Sequence, residues 1–269
     1  RGLEGLGLSG PWGTLAIVFC STVALTPFAW RARTHLLPTN PMALASVALG
    51  GFAFFLSSVG FLYGRVAVIV ILFFLSPVWS TLIGRLFMGW SVPPQRALVL
   101  IFGLGGLGLM LGAEGGVPVP RGLGEWLGLI SGFLWSVAST GIRARVDTGP
   151  LETAFVFSVG ALIGAAIFAP IFAPLPDPAS LGGFWIVLGI ATATGAIWWG
   201  ASMAGLMWAT PRLDPARVGI LLMSEVLVGA ISAAILAGER LNLLEWLGGA
   251  LVVLAGILEV TTSRKVKGP

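Results

Sequence analysis

The chain has 269 residues, of which 57% are hydrophobic and only 10% are Asp, Glu, Lys or Arg, with a formal net charge of +4 and a mean hydropathy of +0.98. A soluble domain carries about 25% charged residues, so this chain lacks the polar surface to cover a water-soluble globule. That excludes most soluble enzymes, nucleic-acid-binding domains and disordered scaffolds, and it reads as an all-α polytopic membrane protein. The fifteen Lys and Arg stand singly or in pairs at the ends of apolar runs, without a basic stripe, so the pI near 10.2 does not point to a nucleic-acid partner. One cysteine, Cys20, and one histidine, His35, leave neither a disulfide nor a familiar metal cluster, and no cofactor is expected.

The chain opens RGLEGLGLSG, with no charged segment before an apolar core and hence no visible signal peptide. Crossing about 30 Å of hydrocarbon takes about 20 apolar residues. Nine such runs follow, at about 12–32, 42–62, 66–88, 96–113, 123–144, 151–174, 182–208, 215–237 and 242–262. All are read as helices, because an open strand edge in lipid leaves backbone groups unpaired. The connections are short and carry breakers such as Pro38-Thr39-Asn40-Pro41, Pro93-Pro94 and Pro118-Val119-Pro120.

Proline falls inside several runs. Pro27 lies in the first, Pro77 in the third and Pro170 in the sixth, and each is a candidate hinge. Pro77 lies near the middle of its run, where it removes one backbone hydrogen bond. The carbonyls so freed, near Ser76 and Ser80, either face a water-filled cavity or belong to an ordinary packing kink. The fourth run contains Gly103-Leu-Gly105-Gly106-Leu-Gly108. The pattern satisfies G-x-G-x-x-G, but no strand precedes it and the run is apolar, so close helix packing is the better reading.

Seven of the eleven tryptophans, Trp12, Trp30, Trp90, Trp126, Trp185, Trp208 and Trp246, lie near run ends as interfacial anchors. Trp79, Trp135, Trp198 and Trp199 lie deeper, where an aromatic face can stack on a solute or hold a cation. Trp198 and Trp199 point about 100° apart on a helix, and Trp199 is the preferred cavity candidate. Glu225, beside Ser224, is the acidic residue near the middle of a run. A charge there costs roughly 2.5–3.5 kcal/mol on insertion scales. It is therefore a candidate proton-coupling site or acceptor for a substrate ammonium. The bland alternative is a protonated carboxyl bonded to Ser224 or to a neighbouring carbonyl.

With the C-terminal Arg264, Lys265 and Lys267 placed in the cytoplasm, alternation also puts Arg31, Arg33, Arg85, Arg96, Arg143, Arg145, Arg212 and Arg217 inside. Only Arg1, Arg65, Arg121 and Arg240 fall outside. The start then lies outside, which an additional upstream helix would explain. The pattern after residues 115–121 also matches the pattern before them loosely. The expectation is a 5+5 inverted repeat whose first helix is absent from this sequence: residues 1–114 as the first repeat, 115–122 as linker, 123–263 as the second repeat and 264–269 as a basic cytoplasmic tail.

Several segments carry a family resemblance. They are Ser76-Pro77 followed by Gly89, the Gly124 to Trp135 segment, Ser224-Glu225, Gly238-Glu239-Arg240-Leu241, and Trp246-Leu247-Gly248-Gly249 leading to Gly256. On these residues the chain resembles the drug/metabolite transporter superfamily in its ten-helix EamA-type branch, over nearly its whole length. Trp90 after Gly89, where the pattern has an acidic residue, is a departure, as is Glu225 where the first repeat has proline. The resemblance implies a non-enzymatic exporter or exchanger of small organic solutes, plausibly amino acids including aromatic ones, in an inner or plasma membrane. It also implies a central cavity lined by the runs at 42–62, 66–88, 123–144, 182–208 and 215–237. Cavity candidates are then Glu225, Trp79, Trp135, Trp199, Ser76, Ser80 and Ser224, with protons as the candidate coupling ion. The expected partners are a small-molecule substrate and membrane lipid, as a monomer or homodimer. Rivals are a proton-coupled exporter of cationic drugs, an integral membrane enzyme and a non-transporting subunit of a membrane complex.

Overall fold

The computed structural model describes residues 3–8, 10–36, 40–73, 75–87, 94–112, 119–145, 148–177, 183–212 and 242–265. After a 3₁₀ turn at Glu4–Leu6 come α1 (Pro11–Arg31), α2 (Arg33–Leu36), α3 (Pro41–Tyr63), α4 (Val66–Phe73), α5 (Ser76–Phe87), α6 (Pro94–Gly112), α7 (Leu123–Arg145) and α8 (Pro150–Phe172). Then follow α9 (Phe184–Thr192), a π-helical segment (Ala193–Gly200), α10 (Ala201–Arg212) and α11 (Leu243–Lys265). Among the described residues the regular structure is all helical. Four stretches, Pro11–Arg31, Pro41–Tyr63, Pro150–Phe172 and Phe184–Ala209, are long and apolar enough to cross a membrane, and Ala97–Met110 and Leu243–Leu258 are shorter apolar helices. The run at 215–237 lies outside the described residues.

Two stretches depart from the sequence expectation. The run at 66–88 is built as two helices, with Leu75 in a turn between them. Pro77 has no N–H to offer the Phe73 carbonyl. It therefore stands in the first turn of α5, where a missing donor costs nothing. The turn is closed instead by Leu75 N–H to the Leu72 carbonyl (3.3 Å), while Val78 and Trp79 donate to the Leu75 carbonyl at 2.9 and 3.1 Å. The run at 182–208 is interrupted by the π-helical segment, a geometry that is rare and concentrated at functional sites. Pro27 and Pro170 lie inside α1 and α8.

The chain divides into two compact units: Arg1–Leu62 with Ala138–Pro211, and Tyr63–Val137 with Arg212–Pro269. Each unit draws on both sides of the 115–122 linker, so the units cut across the sequence halves.

In the first unit, α1 and α8 pack antiparallel. Trp12 Nε1, at the start of α1, donates to the Ala173 carbonyl just past the end of α8 (3.2 Å), and mid-helix Ser21 Oγ meets Ser158 Oγ at 3.2 Å. The buried face of α8 is mostly small, with Thr153, Ala154, Ser158, Gly160, Ala161, Gly164, Ala165 and Ala169, and Phe157 is the one large side chain on it. Its outer face carries Ile163, Ile167 and Ile171 at four-residue spacing, each more than half exposed. Lipid is as apolar as leucine, so close packing of small surfaces, rather than burial of large ones, brings such helices together. The tightest place is α3 against α8. A Cβ at Gly51 would fall onto the Phe157 carbonyl, and one at Gly160 onto the Ala48 carbonyl.

Ser21 and Ser158 are each fully buried, so removing one hydroxyl strands the other. Ser158→Ala is expected to cost about 1 kcal/mol, and Ser21→Ala/Ser158→Ala to cost less than the sum of the single variants. A double-mutant cycle read by unfolding in detergent checks this; full additivity would show that the hydroxyls do not pair.

In the second unit, α4 and the first part of α7 run parallel along a glycine seam. Gly124 lies against Gly64, Gly128 against Ile69 and Gly132 against Phe73. The Gly-x₃-Gly-x₃-Gly spacing puts these three on one face of α7. Helices α6 and α11 pack antiparallel, with Gly103, Gly106 and Met110 facing Ala255, Val252 and Gly248 in turn. A Cβ on Gly106 would lie 2.5 Å from the Gly248 carbonyl oxygen, and one on Gly248 equally close to that of Gly106. Gly105 and Gly108, from the same glycine-rich run, face open space.

Candidate functional site

The irregular turn of each unit carries one of the sequence-predicted tryptophans. In the second unit Trp79 sits one helical turn after the break at Leu75 and meets Phe133 of α7 edge-on (5.7 Å, 88°). Trp135 stacks on Phe73, the last residue of α4 (6.4 Å, 28°). Ser76, half-buried, opens α5. Gly132 explains the fit. A Cβ there would lie 2.6 Å from the Phe73 carbonyl oxygen and 3.0 Å from that of Leu72. The last two carbonyls of α4, just before the proline break, thereby lie against protein, the condition under which non-helical backbone is tolerated at membrane depth. Trp79, Trp135 and Ser76 thus gather around one helix break.

In the first unit Trp199 belongs to the π-helical segment and meets Phe54 of α3 edge-on (6.4 Å, 86°). Phe54 in turn meets Phe157 of α8 (5.3 Å, 69°). The segment approaches α1 through its glycines: a Cβ at Gly195 would strike the Ile17 carbonyl, and one at Gly200 would lie 3.3 Å from Ser21 Oγ. Thr192 Oγ1 reaches Cys20 Sγ at 3.8 Å, and Thr194 Oγ1 donates to the Ile190 carbonyl at 2.6 Å. Trp198 points away and is 77% exposed. The indole Nε1 atoms of Trp79 and Trp199 are both buried without a hydrogen-bond partner.

Glu225 and Ser224 lie outside the described residues, as does the side chain of Ser80. Among the run-end tryptophans, Trp30, Trp126, Trp185, Trp208 and Trp246 are exposed. Arg33 lies over the Trp30 ring at 5.0 Å, which combines a cation–π contact with an aromatic side chain of the interfacial kind.

The sequence reading missed the polar centre of the second unit. Glu245, 4% exposed, forms a two-pronged ion pair with Arg65: Oε1 is bonded by Arg65 Nη1 and Oε2 accepts from Nη2 at 3.1 Å. The same carboxylate accepts the Asn242 N–H (2.8 Å), while Asn242 Oδ1 accepts the Glu245 N–H (2.9 Å). This reciprocal arrangement is a capping box opening α11, and Asn-x-x-Glu at the head of an apolar run was its available signal. Arg65 precedes α4, and its carbonyl accepts the Ile69 N–H at 3.1 Å.

The profile of the EamA-like transporter family matches residues 122–261, just over half of the chain. The chain belongs to that family. Membership of the EamA-like transporters, within the drug/metabolite transporter superfamily, makes it a multi-pass membrane transporter of small solutes rather than a member of an enzyme family. A solved structure described only as "Crystal structure of protein" shares the fold, with a TM-score of 0.59, 19% identity, and coverage of 98% of this chain and 92% of that one. No curated protein matches.

Proposed function

We propose that this EamA-like transporter exports a small organic solute, an amino acid or related metabolite, by alternating access across the cytoplasmic membrane, with its C-terminus in the cytoplasm. The observation that carries the mechanism is the pairing of helices. Read as two five-helix repeats, the chain places α1 and α8 in corresponding positions of the two halves, and α6 and α11 likewise. Both pairs run antiparallel, which is what two oppositely inserted repeats require. The broken helix α4–α5 and the interrupted helix α9–α10 supply the discontinuous backbone near which such transporters hold their solutes. Pro27, Pro77 and Pro170 are the proposed hinges, and the amino-acid substrate class rests on the resemblance of the sequence motifs.

Glu225 is assigned the coupling role. In liposomes with an imposed pH gradient, the wild-type protein is expected to move a member of an amino-acid panel at a rate that follows the gradient. Glu225→Gln is expected to reduce that flux at least tenfold and to flatten its pH profile. Equal pH profiles for the two proteins refute proton coupling through Glu225. Flux of lipophilic cations without flux of amino acids refutes the substrate class and identifies a drug exporter.

A further inference from the structure

The indole N–H of Trp199 is a polar donor that nothing accepts among the described residues. Its nitrogen is buried and unbonded, although buried donors are almost always paired. The neighbouring residue, Trp198, is 77% exposed and points away. A regular helix would have presented this indole in another direction. The π-helical segment Ala193–Gly200 instead turns it toward Phe54, at the cost of a rare backbone form. Two glycines, Gly195 and Gly200, let that widened segment lie against Ile17 and Ser21.

We infer that the Trp199 N–H is reserved for a hydrogen-bond acceptor on the transported solute, a carboxylate or carbonyl oxygen, which it meets when the π-helical segment and α3 separate. This rests on the transport reading above and narrows it to solutes that carry such an acceptor. In the conformation described the donor is buried beside the Phe54 ring, so the contact belongs to an open state. The Phe54 ring beside the indole provides an edge-on aromatic wall for the solute's apolar part.

The test compares L-phenylalanine with 2-phenylethylamine, which has the same ring and amine but no carboxylate. Trp199→Phe, and a variant bearing 3-benzothienylalanine at position 199 that keeps the bicyclic ring without the N–H, are each expected to bind L-phenylalanine about tenfold more weakly. Affinity for 2-phenylethylamine should stay within about twofold of wild type, and Trp198→Phe should leave both unchanged. Unaltered L-phenylalanine affinity in the benzothienyl variant overturns the inference. A second measurement needs no solute. Because the N–H has no partner to lose, the benzothienyl variant is expected to melt at the wild-type temperature or above. A melting temperature lower by more than about 5 °C overturns the inference. Absence of any amino-acid binding by the wild-type protein counts against the substrate class, and the melting comparison then decides the donor on its own.

Discussion

Alanine at Gly160 is expected to destabilise the protein by at least about 3 kcal/mol, whereas alanine at Gly105 is expected to be neutral or stabilising by up to about 1 kcal/mol. Both substitutions add one methyl group to a helix, and helix propensity alone favours both. The difference lies in what the methyl meets. At Gly160 it falls on the Ala48 carbonyl and beside the Ala48 Cα, backbone atoms that no rotamer change can move. Helices α3 and α8 would have to part along a contact that continues through Gly51 and Gly164. Parting would also loosen the Phe54–Phe157 contact that backs Trp199. At Gly105 nothing lies within contact distance. Unfolding in detergent, with leucine at each position as a harsher pair, checks the prediction. Equal effects at the two sites would show that α3 and α8 do not approach this closely.

Removing the Glu245 carboxylate is expected to be the second most damaging change. Glu245→Ala loses the capping box that opens α11, about 1 kcal/mol, and leaves the Arg65 guanidinium without its carboxylate. Breaking a fully buried pair costs about 3–5 kcal/mol, but the Arg65 side chain is 34% exposed, so solvent recovers part of that. The sum is about 2–3 kcal/mol. Glu245→Gln keeps an acceptor for the Asn242 N–H and should cost about half as much. Arg65→Lys gives up the forked geometry and should fall between wild type and Glu245→Ala. Thermal unfolding of the four proteins should give that order. If Glu245→Ala melts with wild type, the carboxylate is not a structural centre of this unit.

The apolar runs were legible because hydrocarbon imposes a length, and α1, α3, α6, α7, α8 and α11 begin and end within a few residues of the expected bounds. Which face of each helix packs was not legible. In water the apolar face turns inward, whereas in α8 mostly small residues, with Phe157, turn inward and isoleucines outward, and the helix is apolar on every side. The glycine-rich run of α6 announced close packing, but only Gly103 and Gly106 serve it. Pro77 marked a disturbance but not its kind: a kink and a full break leave the same residue in the sequence. The π-helical segment had no signal beyond the glycines at its ends. Angular spacing showed only that Trp198 and Trp199 face different ways, and the orphaned nitrogen that gives Trp199 chemical meaning depends on packing.

The interrupted helix from Phe184 to Arg212 carries exposed indoles near both ends, Trp185 at 79% and Trp208 at 51% exposure. At about 1.5 Å per residue they lie roughly 35 Å apart along its axis, slightly more than the thickness of the hydrocarbon and less than that of the bilayer with its headgroups. That spacing matches one ring at the ester and glycerol level of each leaflet. These two rings act as a gauge: a thinner bilayer forces this helix to lean and a thicker one draws it upright. Because the π-helical segment lies between the two anchors, the thickness and composition of the host membrane bear directly on the geometry of the wide turn.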